Sequence, residues 1–410
     1  MKKLNLIKNK IFVATAATVL LTTSISNATA QGSQNFNLRL KKLEAKLKVL
    51  EEENKYASPG LQTALKNAKF FGRLQVDADF HNEDRGADTK SDGIDIERVR
   101  LGVKGKISNS LSYKFENDFS ENASEVKDAY IAYTGFKDSE IVFGQTKPTL
   151  SLEILESSNH MLFIQRSLAE DSVLGRLVGV KGSKYNKHWR VAGGVFGEAV
   201  GNEARNDDSQ YSATARASIA PINNEDSLLH LGAATSYTSK DRRTSVSGTT
   251  PVTHEPIDKE HLIAGELIAR HKALTFQGEY IVNKSDYDRD VGTGDKVDFL
   301  SYYAQISYGL TGEHRKYSVK HAKLGKLKVR NLAGKNGIGA IELAARFSHL
   351  DRNDKSINEG VSDDYTLGVN WYPNDMLRFM LNYTKSKTRF TGTKVSKGHD
   401  LVSLRTRIYF

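Results

Sequence analysis

The sequence predicts an all-β protein: a transmembrane antiparallel β-barrel of about sixteen strands behind a short N-terminal coiled-coil helix. Three observations predict it. An export leader is followed by no stretch able to cross a bilayer as a helix. Segments of roughly ten residues alternate apolar and polar along most of the chain. The final stretch, Leu401 to Phe410, is apolar on one face (Val402, Leu404, Thr406, Ile408, Phe410) and polar on the other (Ser403, Arg405, Arg407, Tyr409).

The leader comes first. Lys2, Lys3, Lys8 and Lys10 precede an apolar run from Ile11 to Leu21, and Ala28-Thr29-Ala30 supplies a small-residue cleavage site. Residues 1–30 therefore read as a signal peptide whose core is too short to span. Its removal takes away four lysines and no acid, so the formal charge falls from +10 to +6. A mildly basic chain suits anionic partners without naming them. The remainder has no apolar run of the ~20 residues a spanning helix needs, and mean hydropathy is negative. With no cysteine, lipidation at a processed cysteine, disulfides and thiolate metal sites are all excluded. Six prolines against 32 glycines, 17 Phe and 17 Tyr suit many short strands better than one pooled core.

Residues 31–58 carry a heptad seam. Leu40 and Leu47 take the a position, Leu43 and Leu50 the d position, with Phe36 and Asn54 in the same register. Under three heptads is marginal alone, so the seam would add to an oligomer formed elsewhere. Ser58-Pro59-Gly60 is read as its stop and 59–69 as a linker, with the barrel over 70–410.

Within the barrel, Val99, Leu101 and Val103 oppose Arg98, Arg100 and Lys104. Leu111, Tyr113, Phe115 and Phe119 oppose Lys114, Glu116 and Asp118. Tyr365, Leu367, Val369 and Trp371 oppose Thr366, Gly368 and Asn370. After a turn at Pro373-Asn374, Leu377, Phe379, Leu381 and Tyr383 oppose Arg378, Asn382 and Thr384. With Phe410 placed on the periplasmic side, short turns near Ser108-Asn109, Pro221 and Pro373 fall on that side, and the longer segments 81–93, 147–172, 239–258 and 284–296 fall outside. Residues 310–337 break the rule, being long yet periplasmic; folding back into the lumen would account for them.

The same parity sends Arg73, Arg98, Arg100, Lys104, Lys114, Arg190, Arg216, Arg346, Arg378, Arg405 and Arg407 to polar faces, along with Asp77, Asp79, Glu116, Glu266, Glu279 and Glu342. Cations lining a narrow aqueous pore attract anions and reject cations. Arginine adds a planar fork matched to phosphate oxygens. Such charges also serve as pore-wall structure when carboxylates balance them. A barrel enzyme would need a nucleophile beside a base near the rim. His160, His188, His254 and His261 show neither triad nor metal-ligand spacing, and Gly292-Thr293-Gly294 lacks the strand-to-helix setting of a phosphate cradle. No catalytic residue, cofactor, metal or nucleic-acid partner is expected.

The chain resembles the phosphate-selective porins of the O and P type over nearly all of its mature length. Arg98 to Gly105 is similar to that family's early basic strand, and Lys127 to Gly135 to the strand leading to its third loop. Gly144-Gln145-Thr146-Lys147, Ser151-Leu152-Glu153, Ser157-Ser158 and Gln165-Arg166-Ser167 follow that loop. Tyr308 to Glu313, Gly339 to Arg346 and Asn370-Trp371-Tyr372 add further matches. The resemblance implies a homotrimer of sixteen-stranded barrels in a Gram-negative outer membrane, each narrowed by its third loop. It implies passive diffusion of phosphate or related anions past a ladder of cations, and it allows an N-terminal coiled coil. Carried onto this chain, Lys147, Ser151 and Arg166 stand on the loop and Arg98 and Arg100 on the wall. Arg315, Lys316, Lys320, Lys323, Lys326, Lys328 and Arg330 form either a lumen patch or a solvated loop. The chain departs from the family pattern at Glu97, where an arginine usually precedes Arg98, at Thr149-Leu150, where a Pro-Phe pair stands, and at Gln165, usually a glutamate.

Overall fold

The computed structural model describes residues 59–83, 92–120, 124–200, 210–241, 257–287, 296–354, 357–390 and 396–410, and in strand after strand the polar face is buried and the apolar face exposed. In β8 (Tyr211–Asn223), Ser212, Thr214, Arg216 and Ser218 are buried while Tyr211, Ala213, Ala215, Ala217 and Ile219 are exposed. A soluble sheet would do the reverse. Lipid outside and polar contents inside select this inversion.

Before β8 come β1 (Lys69–Glu83), β2 (Gly93–Lys106), β3 (Leu111–Asp118), β4 (Glu125–Tyr133), β5 (Ser139–Thr146), β6 (Leu177–Tyr185) and β7 (Trp189–Phe196). After it come β9 (Ser227–Asp241), β10 (Ile257–His271), β11 (Leu274–Tyr287) and β12 (Lys296–Gly309). A small hairpin of β13 (Arg315–Ser318) and β14 (Lys323–Leu327) interrupts the series. The last four are β15 (Ala340–Asp354), β16 (Ile357–Tyr372), β17 (Leu377–Arg389) and β18 (Ser396–Tyr409). Sixteen strands form a closed barrel in which β12 pairs with β15 and β1 with β18; the hairpin is a separate two-stranded sheet. The β1–β18 register sets Arg73 opposite Tyr409 and Asp77 opposite Arg405.

Two sequence expectations need correction. Residues 59–69, read as a linker, hold helix α1 (Pro59–Lys66) before β1 begins. Proline disrupts a helix interior but fits its first turn, where no N–H partner is required, and Pro59 opens α1; its reading as the stop of the segment before it falls on residues outside those described. The turn assigned near Pro221 lies further on, because β8 continues to Asn223. Its pairing with β9 slips between Ile219 and Ile222, an irregularity that tolerates a residue with no N–H. The signal peptide over 1–30 and the heptad seam over 31–58 lie outside the described residues.

The chain divides into two compact units. In the described part of the smaller, Ala64 of α1 is buried and its carbonyl accepts from the Tyr113 hydroxyl at 3.2 Å. The turn between β2 and β3 is tied by Ser108 Oγ, which accepts from Leu111 N. The larger comprises Phe71–Gly102 and Lys114–Phe410. Its tight turn after β16 is tied by Asn374 Oδ1, which accepts from Met376 N and Leu377 N.

The apolar core of the larger unit lies inside the barrel. Leu150, Ile154, Ala169, Val173 and Leu174 of the loop between β5 and β6 pack on Leu262, Ala264, Ile281 and Tyr303 of the wall. Leu152 packs with Ala220, Leu228, Ile268 and Leu324, and Phe163 with Ala344. Each large side chain so buried contributes about 1.5–3 kcal/mol, which is why a loop of this length keeps one inward conformation. From the end of the barrel that carries the Pro373 turn, the hairpin also folds inward. Arg190 Nε donates to Lys320 O at 2.9 Å, Arg216 donates to Ala322 O at 2.7 Å, and Tyr317 bonds His230 at 2.6 Å. Its return leg meets the turn itself, where Ala333 N donates to Pro373 O.

Candidate functional site

The loop between β5 and β6 carries helix α2 (Leu152–Leu155) and a 3-10 turn at Leu168–Ser172. Helix α2 is short, and its start is tied to the wall. Glu279 of β11 accepts from Leu152 N at 2.7 Å, Glu153 N at 3.0 Å, Ser151 Oγ at 3.0 Å and Tyr303 OH at 2.8 Å. A carboxylate answering the unpaired amides of a helix start is the favourable sign of charge there. Further along, Glu153 accepts from Ser167 N and Oγ and pairs with Arg346 at 3.2 Å.

Eleven of the residues expected on the wall and on the loop as pore-lining separate into distinct groups. Arg346, Arg378, Arg405 and Arg407 are buried and donate to loop carbonyls. Arg346 reaches Gln165 O and Arg166 O, and Arg378 reaches Met161 O and Leu162 O. Arg405 reaches Ile164 O and Arg407 reaches Asn159 O. Arg216 pairs with Glu266 and holds the hairpin. Ser151, expected at the constriction, is 3% exposed, accepts from Ile154 N as the α2 cap and donates to Glu279. These six secure the loop and hairpin. Lys104 is an exposed residue of β2.

The remaining four, Arg98, Arg100, Lys147 and Arg166, come together around a cavity of about 280 Å³. Its lining counts ten Lys and Arg side chains against four carboxylates, Glu116, Asp128, Glu140 and Glu156. A water's share of liquid volume is about 30 Å³, so a small anion fits with part of its hydration shell. Carboxylates neutralise some of these cations: Arg73 pairs with Glu116 at 2.7 Å, Arg100 with Asp118 at 2.6 Å, Arg176 with Asp128 at 2.8 Å and Arg166 with Glu170 at 2.7 Å, Arg166 donating also to Glu153 O and Glu156 O. Lys114 also pairs with Glu116 and Asp128.

Three lysines differ. Lys147 Nζ donates to Ile154 O and to Glu156 O, Lys181 Nζ to Thr146 Oγ1 and Lys147 O, and Lys323 Nζ to Leu155 O. An ammonium has three N–H donors, so each keeps at least one for the cavity. Their hydrogen-bond partners are carbonyls and a hydroxyl, so among the described residues no carboxylate is bonded to these three nitrogens. Burial pulls the Lys147 pKa well below its usual range, and the neighbouring Arg166, Arg176 and Lys323 add to the shift. Burial likewise brings Lys323 down to about 8. His321, at the cavity edge, is lowered to about 4 by burial and is neutral at physiological pH.

Sequence reading missed Lys181, Arg176 and Tyr130. Lys181 had a signal: exposed Val178 and Val180 put it on the inward face of β6, but Gly179 and Gly182 interrupt the alternation. Arg176 follows the loop, where no periodicity applies. At the departures from the family pattern, Glu97 pairs with Arg98 at 2.8 Å, Leu150 enters the core, Thr149 lines the cavity, and Gln165 is exposed.

A family model described as phosphate-selective porin O and P matches residues 69–410. A Caulobacter vibrioides protein whose name assigns no activity is 26% identical over 351 residues, covering 80% of this chain and 70% of its own. Porin O of Pseudomonas aeruginosa is 25% identical over 384 residues, covering 80% of this chain and 86% of its own. Among solved structures, an anion-selective porin from Comamonas acidovorans shares the fold with a TM-score of 0.52 at 14% identity, covering 84% of this chain and 99% of that one.

Proposed function

This chain belongs to the phosphate-selective porin O and P family, and from that premise we propose that phosphate and related oxyanions diffuse through its lumen, with the cavity around Lys147 and Arg166 as the selective step. The protein is an outer-membrane porin, a channel rather than an enzyme. The observation that carries the anion reading is the cluster of ammonium groups held by carbonyls and a hydroxyl rather than by carboxylates. An oxyanion entering the cavity exchanges water for charge-assisted hydrogen bonds, which gain strength where water is scarce. Several such donors close together let it pass from one to the next without being trapped by any single one.

The assembly we propose is a homotrimer, exported by the leader over 1–30 and reinforced by the seam over 31–58. A second reading, a general non-selective pore with little anion preference, is favoured by the commitment of Arg346, Arg378, Arg405 and Arg407 to loop carbonyls rather than to the open lumen. Phosphate titrated into chloride on a single channel separates the two. The selective pore loses chloride current at millimolar phosphate. A general pore carries the same current throughout.

A further inference from the structure

Glu156 stands apart from the other acids of the lumen. It is 3% exposed, and it lines the cation-rich cavity. Its backbone carbonyl accepts from Lys147 and Arg166, yet among the described residues its carboxyl has neither a hydrogen bond nor an ion pair. Glu116, Asp128, Glu153 and Glu279, by contrast, all have partners. The Glu156 carboxyl borders the cavity in which the permeating anion would sit.

We propose that Glu156 sets the affinity of the constriction for oxyanions: neutral, it donates its O–H to an oxyanion held by Lys147, Arg166 and Lys323; ionised, it cancels one of those cations and repels the anion. The inference rests on the anion-pore reading above.

The groups that face Glu156 come from three elements. Glu153, Arg166 and Lys147 belong to its own loop, Arg315 and Lys323 to the hairpin, and Tyr303 to β12. Burial raises its pKa to about 7; Glu153 adds to the rise, while Arg315, Lys323 and Arg166 oppose it. Both protonation states are therefore populated near neutral pH. The sign follows: oxyanion affinity is high below that value and falls as pH rises through it. Burial also lowers Lys147 and brings Lys323 to about 8, so substitutions at Glu156 itself separate its step from theirs.

The test uses the full-length protein in planar bilayers, with sulfate as the probe because it remains a dianion from about pH 5.5 to 7.5. The concentration of sulfate that halves the chloride current should rise roughly tenfold over that interval, the loss of one charge-assisted hydrogen bond. Glu156→Gln keeps a neutral donor, so its block should stay tight and level across the interval. Glu156→Asp should retain a step. Heat-modifiable mobility checks assembly of each variant, and Glu156→Ser, which should also lose the step, replaces the glutamine variant if that one does not insert. A step of unchanged size in Glu156→Gln or Glu156→Ser overturns the role of Glu156 while leaving the anion pore standing. Cation selectivity of the wild type at every pH removes the anion-pore reading itself.

Discussion

Arg405 forms a two-point pair with Asp77 across the seam that closes the barrel, Nε to Oδ1 at 2.6 Å and NH2 to Oδ2 at 2.5 Å, while its third nitrogen reaches Ile164 O at 2.9 Å. One side chain thus joins the last strand to the first and fastens the inward loop to both. Both partners are buried, and a buried pair that loses one member typically costs about 3–5 kcal/mol, because the other charge is left without a partner. Arg405→Ala should lower the denaturant midpoint of the folded barrel clearly. Arg405→Ala with Asp77→Ala should recover part of the loss, since no orphaned carboxylate remains. Urea titrations of the three variants check this.

The tie between Glu279 and α2 predicts a different phenotype. Glu279→Ala removes one acceptor that serves Leu152 N, Glu153 N and Ser151 Oγ together. The apolar seat beneath the loop remains, so the barrel should assemble. The loop start should loosen, and single-channel traces should show more open-channel noise and sub-conductance steps than wild type. A quiet trace would place the loop's rigidity in its apolar contacts alone.

Phosphate block should depend on cavity residues more than on fastening ones. Arg166→Ala, Lys147→Ala and Lys181→Met each remove a donor at the cavity, and a hydrogen bond to a charged group is worth roughly 1.5–3 kcal/mol. The half-blocking phosphate concentration should rise about tenfold or more in these variants, and less in Arg405→Ala. Concentration series on single channels give the comparison.

Deleting residues 31–58 should leave a barrel that still inserts, because lipid-facing strands carry insertion. Trimer dissociation on heating should move to a modestly lower temperature, read by semi-native electrophoresis.

Parity alone made the barrel legible. Alternation placed Arg98, Arg216, Arg378 and Arg405 on inward faces, and each does lie inward. What alternation cannot supply is the partner. Arg378 meets Met161 O, 217 residues earlier in the chain, and no local pattern encodes where a loop folds. The wall arginines therefore read as pore donors from sequence, whereas the loop backbone takes up their N–H groups. Pro59 reads as a stop from sequence and stands in the first turn of α1, since proline suits both places. Lys181 was hidden by the glycines on either side of it.

The most direct measurement is the zero-current potential of the purified protein in a planar bilayer under a tenfold gradient of potassium chloride at neutral pH. The potential should have the sign set by chloride, because the cavity holds ten basic side chains against four acidic ones. A potential of the sign set by potassium would contradict it.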